Sequence, residues 1–284
     1  MALPTTTKQA HSSGERSGGI DVERTEMMNQ LYGQIHEDER LLQTRQGQLE
    51  YRVTMHYIQK YLKPGDRVLE IGAGTGRYSV ALAREGFRVA AVELVESNLK
   101  VLQKNAAGLT GIEVFQGDAL DLRRFEDSTF DLTLLFGPMY HLYEKADQHK
   151  AIDEAIRVTR PGGVILSAFL SAHAIICTNY LYDGLPTAQG IRANFDSAYQ
   201  VRHFQDQLFT GFDICEFEAL FADKGVDYIT TVAADNVLEI AERRADFRMT
   251  DEDLEAFAAY QLHICEKREM LGNSSHLIYI CKKQ

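Results

Sequence analysis

Between residues 68 and 169, short runs rich in β-branched residues alternate with amphipathic segments of helical period. The apolar runs are Val68–Ile71, Val89–Glu93, Ile112–Phe115, Leu132–Phe136 and Val164–Phe169. Between them lie Tyr78–Arg84, Ser97–Ala107 and Asp147–Val158, the last followed by Thr159 and carrying Ile152, Ala155 and Ile156 on the same face. Strands this short and this continuously apolar are buried on both faces, so the pattern calls for parallel strands joined by helical crossovers. The fold class expected is α/β, a doubly wound, mostly parallel sheet with helices on both sides.

The flanks read differently. Residues 1–22 are rich in Ser, Thr and Gly without an apolar period, and are expected to be a disordered tail or leader. Residues 23–62 turn helical, with Leu49, Val53, Tyr57 and Tyr61 recurring every four residues until Lys63-Pro64-Gly65-Asp66 ends the stripe. Residues 171–210 are polar and aromatic, with Tyr180, Tyr182, Phe195, Tyr199, His203 and Phe204. Regularity returns with a helix near Cys215–Lys224, a strand at Tyr228–Val232, a helix over 251–270 and a strand at Leu277–Cys281. Thr250 and Asp253 have capping-box spacing at the start of that helix, which is expected to bury Leu254, Phe257, Ala258 and Leu262. Residues 23–284 are thus read as one domain. Helices 23–62 (Tyr32, Glu39, Arg40, Tyr51) and the insertion 171–210 are candidates for a lid.

Within the alternating region, Val68-Leu69-Glu70-Ile71-Gly72-Ala73-Gly74-Thr75-Gly76-Arg77 lies where a strand becomes a helix. Glycines there allow a tight turn and bring a ligand against main-chain N–H groups at a helix start. Glu93 ends the next strand, where a carboxylate can accept hydrogen bonds from both ribose hydroxyls. The spacing is GxGxG, and Arg77 occupies the place of the last glycine in the dinucleotide fingerprint, which disfavours a pyrophosphate ligand such as NAD.

The segment Glu70-Ile71-Gly72-Ala73-Gly74-Thr75-Gly76 resembles the first motif of the class I S-adenosylmethionine (SAM)-dependent methyltransferases. Gln116-Gly117-Asp118-Ala119, Phe130-Asp131-Leu132-Thr133 and Arg157-Val158-Thr159-Arg160-Pro161-Gly162-Gly163-Val164 resemble later motifs of that family in the right order. The resemblance covers roughly residues 50–170 and implies a seven-stranded sheet whose final strand is antiparallel. It implies SAM as cofactor, in a pocket formed by Glu70, Gly72, Ala73, Gly74, Gly76, Tyr78, Glu93, Leu94, Asp118, Ala119, Phe136 and Gly137. In it Asp118 would meet the exocyclic amine of adenine, the Ala119 backbone the ring, and Glu70 the cofactor's amino end. Glu70 has a second reading, as a cap for the loop's own N–H groups.

Methyl transfer from a sulfonium needs alignment above all, and a base only where the nucleophile loses a proton. Phe136-Gly137-Pro138-Met139-Tyr140-His141-Leu142 follows the fourth strand, at the end of the sheet where doubly wound folds bind ligands. It departs from the Asn/Asp-Pro-Pro-Tyr/Phe tetrad of amino-directed nucleic-acid methyltransferases and resembles a small-molecule-type bacterial subgroup. That resemblance suggests Tyr140 and His141 as the catalytic candidates. His141 is either a general base or a helix cap and pocket wall, and Tyr140 either a catalyst or a packing residue.

Composition narrows the partners. A net charge of −11 supplies no basic field for nucleic acid or an anionic membrane, and no stretch approaches the ~18 apolar residues of a membrane helix. Cys177, Cys215, Cys265 and Cys281 form no CxxC, and the nine histidines make no ligand cluster with them, so no metal site is expected and the thiols suit a reducing cytoplasm. The expected activity is methyl transfer to a small molecule. A non-catalytic SAM-binding regulator, a protein side-chain methyltransferase, an aminopropyl transferase and an NAD oxidoreductase are the rivals. Oligomeric state is not legible, since there is no heptad seam.

Overall fold

Val68, Leu69, Glu70 and Ile71 are all buried, as a strand covered on both faces requires, and they form the middle of a seven-stranded sheet. The computed structural model describes residues 16–17, 20–32, 41–204, 207 and 209–284. The strands are β1 (Arg67–Ile71), β2 (Arg88–Glu93), β3 (Ile112–Gln116), β4 (Phe130–Leu135), β5 (Thr159–Leu170), β6 (Val226–Ala233) and β7 (His276–Lys283). Their order is β3-β2-β1-β4-β5-β7-β6. β1 to β5 pair in parallel, and β7 runs antiparallel to both β5 and β6. The doubly wound α/β sheet with an antiparallel last strand is therefore as expected.

The main helices are α1 (Val22–Tyr32), α2 (Arg45–Tyr61), α3 (Arg77–Arg84), α4 (Glu96–Ala106), α5 (Lys145–Val158) and α6 (Asp251–Ile264). α2 begins at Thr44, whose side chain accepts from the Gly47 N–H, and buries Leu49, Val53 and Tyr57, three of the four residues of its stripe. Ala151, Ile152, Ala155 and Val158 of α5 are buried against the sheet.

Several boundaries differ from the sequence reading. β5 starts at Thr159, because a bulge lets Thr159 pair with Phe130 before the ladder resumes at Val164. Gly162 supplies the positive φ of 77° that this irregularity needs. The expected helix 251–270 stops at Ile264, where the Cys265 carbonyl leaves the helix to accept the Ala233 N–H at 2.9 Å, and a short helix resumes at Arg268–Leu271. Phe257 and Leu262 are only half-buried; Gln261 and Ile264 are buried instead with Leu254 and Ala258. Gln261 tolerates this because its amide donates to the Ala233 carbonyl and accepts from Asn236. The Thr250–Asp253 capping box is present in both directions.

Within the stretch read as a disordered tail, Arg16–Ser17 and Ile20–Asp21 form a short antiparallel pair leading into α1. Glu39 and Arg40 lie outside the described residues. The insertion folds as short helical turns over Ala172–Ile175, Ile176–Tyr182 and Thr187–Asn194.

The topology gathers one rim. The carboxyl ends of β1 to β5 share it, and because β7 runs the other way its first residue, His276, joins them beside Leu170. β6 runs against β7, so its carboxyl end, Ala233, is also there, opposite Leu277.

Candidate active site

The glycine loop leaves β1 and folds back over β2: the N–H groups of Gly72 and Ala73 both donate to the Val92 carbonyl, at 2.9 and 3.0 Å. Gly72 has φ 79°, and a Cβ there would lie 2.1 Å from the Phe136 carbonyl and 2.5 Å from Pro138 Cδ. No other residue fits between the two loops that leave β1 and β4. Gly76 also has a positive φ, but its missing Cβ makes room for Leu102 of α4, not for the cleft. Of the glycines expected in the pocket, Gly76 is thus a packing residue outside the lining, while Gly72 and Gly74 line it.

Glu93 is buried and bridges the loop to the next helix. Its Oε2 accepts from the Gly74 N–H and its Oε1 from the Val95 N–H, each at 2.7 Å. Glu70 is fully buried beneath the loop and accepts from both the Ser79 N–H, at 2.9 Å, and the Ser79 hydroxyl. Ser79 is the third residue of α3, so Glu70 satisfies one of the helix's unpartnered first-turn donors rather than an N–H of the glycine loop itself. Burial pushes the Glu70 carboxyl up to about 8 despite these bonds, with a further upward push from Glu93.

Asp118, just past β3, is buried too; its Oδ1 accepts from the Leu120 N–H and its Oδ2 is bonded by Arg24 of α1. Tyr78 stacks on Tyr51 at a 5.5 Å centroid distance and meets Phe136 edge-on at 5.4 Å, while the Arg77 guanidinium lies over Tyr51.

These residues border one cleft that opens to solvent at its mouth. Glu70, Gly72, Ala73, Gly74, Tyr78, Glu93, Leu94, Asp118, Ala119, Phe136 and Gly137 all line it, as do Tyr140 and His141. His141 is buried in the turn Pro138–His141, with Nε2 3.0 Å from the Tyr32 hydroxyl and Phe209 against its ring at 5.1 Å. Tyr140 is half-buried against the core, and its carbonyl accepts from the Thr210 N–H.

Arg24, Met28 and Tyr32 from α1 and Glu50 and Thr54 from α2 form the cover. Among the described residues, none of 171–210 lines the cleft. That insertion packs behind the 138–143 segment, where Tyr143 donates to the Gln207 carbonyl. Sequence reading missed Arg24, Glu50, Asp235 and His276. Glu50, Asp235 and His276 bring one side-chain atom each within 4.8 Å of one another at the β7 end of the cleft. The residues are too far apart in the chain for any spacing to announce this. Among the described residues, no helix is long and apolar enough to cross a membrane, and none of the four cysteines is in a disulfide.

Residues 68–163 match the family described as "Methyltransferase domain". The chain is 37% identical over 120 residues to the demethylmenaquinone methyltransferase of Clavibacter sepedonicus, covering 42% of this chain and 47% of that one. It is 34% identical over 155 residues to the demethylmenaquinone methyltransferase of Renibacterium salmoninarum, covering 51% and 62%. The chain thus spans about half the length of these curated relatives. A SAM-dependent methyltransferase of Thermotoga maritima, described as a possible histamine N-methyltransferase, superposes with a TM-score of 0.55 at 15% identity, covering 92% of this chain and all of that one. The glycine loop, the strand order and the sequence match converge on the same stretch: residues 68–163 are a methyltransferase domain of the class I fold.

Proposed function

We propose that this protein transfers the methyl group of SAM to a small-molecule acceptor. The observation that carries the reading is one cleft at the carboxyl ends of the strands that gathers the backbone of Gly72 and Gly74 with three buried carboxyls, Glu70, Glu93 and Asp118. In this reading Gly72 and Gly74 pass beneath the amino-acid end of SAM, Glu93 takes the ribose hydroxyls, and Asp118 with the Ala119 backbone takes adenine. Glu70 stands nearest the cofactor's amino group. The cofactor supplies an electrophilic methyl on a positively charged sulfur. The protein's own contribution is alignment in a cleft bordered by α1 and α2. Tyr140 and His141 border the acceptor side. The names of the curated relatives support a small-molecule acceptor, and the −11 net charge and unpaired thiols suit a cytoplasmic enzyme that does not act on nucleic acid.

Incubation with methyl-labelled SAM and a cytosolic metabolite extract should place label on one small species. Calorimetry should show SAM binding without NAD binding. NAD binding in the absence of SAM binding would overturn the reading; SAM binding with no labelled product would favour a regulator.

A further inference from the structure

Helix α1 faces the cleft with a stripe of every fourth residue: Arg24, Met28 and Tyr32 all line it. The two ends of that stripe are bonded to loops that leave different strands, β3 and β4. Arg24 Nη2 donates to Asp118 Oδ2, and the Tyr32 hydroxyl lies 3.0 Å from His141 Nε2. Between them Met28 is buried. Asn29, which does not line the cleft, accepts the Glu96 N–H on its Oδ1 at 2.9 Å. In this way α1 gives the first turn of α4 an acceptor that α4's own cap residue, Val95, lacks.

The Asp118 end decides what this contact does. Oδ1 already accepts from the Leu120 N–H and Arg24 takes Oδ2, with the two side chains only 8% and 1% exposed. Asp118 is the group assigned above to the exocyclic amine of adenine, and with Arg24 in place its carboxylate presents almost no surface to a purine. The exchange is also uphill at this atom. A purine amine offers a neutral N–H in place of a guanidinium, and charge-assisted hydrogen bonds are about twice as strong as neutral ones. A buried carboxylate that loses its cation also keeps the cost of its own desolvation. Adenine therefore works against the α1 contact instead of adding to it.

We infer that Arg24 is an internal competitor for the carboxylate that reads adenine, and that α1 is a latch which cofactor binding must open. The inference rests on the methyl-transfer reading above, which places adenine at Asp118. Arg24 and the adenine amine exclude each other at Oδ2, so only molecules in which Arg24 has left Asp118 take up the cofactor. The measured affinity is then the intrinsic affinity reduced by the fraction of molecules that are unlatched. Through Tyr32 the same helix reaches His141, so one latch spans both the adenine end and the acceptor side of the cleft.

The test uses the full chain and calorimetry with S-adenosylhomocysteine, which has the adenosine and amino-acid ends of SAM but a neutral sulfur. Arg24→Gln keeps an amide donor for Asp118 and removes the charge. It should tighten binding about tenfold, as expected where about a tenth of the molecules are unlatched. Asn29→Ala loosens α1 from outside the cleft and should tighten binding about twofold to threefold. Amides of α1 should exchange with deuterium faster once S-adenosylhomocysteine is bound. If Arg24→Gln does not fold, Asn29→Ala and the exchange measurement decide. Weaker binding by Arg24→Gln makes Arg24 part of the adenine site and overturns the inference, as do unchanged affinities in both variants or slower α1 exchange on binding. Tighter binding of SAM alone, with S-adenosylhomocysteine unchanged, reduces the effect to charge near the sulfonium and also overturns it. A wild-type chain and variants that bind neither compound remove the methyl-transfer reading, and the inference with it.

Discussion

The Gly74 N–H donates to Glu93 Oε2 at 2.7 Å, so the glycine loop is tied to the end of the neighbouring strand by the same carboxylate that faces the cleft. The other oxygen holds the Val95 N–H at the start of α4. One side chain thus shapes the loop and borders the proposed ribose position.

Glu93→Gln should therefore do two things. An amide can accept at only one end, so one of the two N–H groups loses its acceptor, costing about 1–3 kcal/mol of stability by chemical denaturation. SAM affinity by calorimetry should fall about 10–100-fold through loss of charged hydrogen bonds to the ribose. Unchanged affinity would remove Glu93 from the cofactor site.

Gly72→Ala should cost about 3 kcal/mol or more of folding stability, since the new methyl would meet backbone at 2.1 Å and the residue keeps a left-handed φ. Gly65→Ala carries only the φ penalty, because nothing lies within 4 Å of where its Cβ would stand. Denaturant midpoints of the two variants should separate clearly, and equal midpoints would contradict the packing of the β1 and β4 loops.

Glu70 carries a pH signature. Its folded-state value of about 8 lies above the ordinary carboxylate value of 4.5, so its contribution to stability is fully present below pH 4.5 and is lost as pH rises through about 8. Glu70→Gln removes this dependence, so the stability of the variant relative to wild type should rise across that window. If SAM places its ammonium beside Glu70, binding near pH 7 should release a proton. Calorimetry in buffers of different ionisation enthalpy would detect it, and the Gln variant should show none.

The sheet, its helices and the glycine loop were legible because each rests on local pattern. Val68–Ile71 is apolar but for Glu70 because both faces are covered, and the positive φ of Gly72, Gly74 and Gly76 belongs to the residue type that adopts it most readily. Glu93 was legible from its place at the end of the next strand. Where pattern failed, long-range hydrogen bonds had intervened: Cys265 leaves its helix to cap β6, and Gln261 is buried because Ala233 and Asn236 meet its amide.

By itself the sequence determined the fold class, the loop and the acidic strand end, all set by neighbours a few residues apart. Only the tertiary structure decided that Arg24 bonds Asp118, that among the described residues α1 and α2 line the cleft while those of 171–210 do not, and that Gly76 serves α4. It also decided that Gln46, Asp235 and His276 meet at the rim. The reason is physical: buried polar groups must find partners wherever the packed chain offers them, and those partners need have no relation in sequence. The antiparallel course of β7 is what carries His276 to the ligand-binding rim.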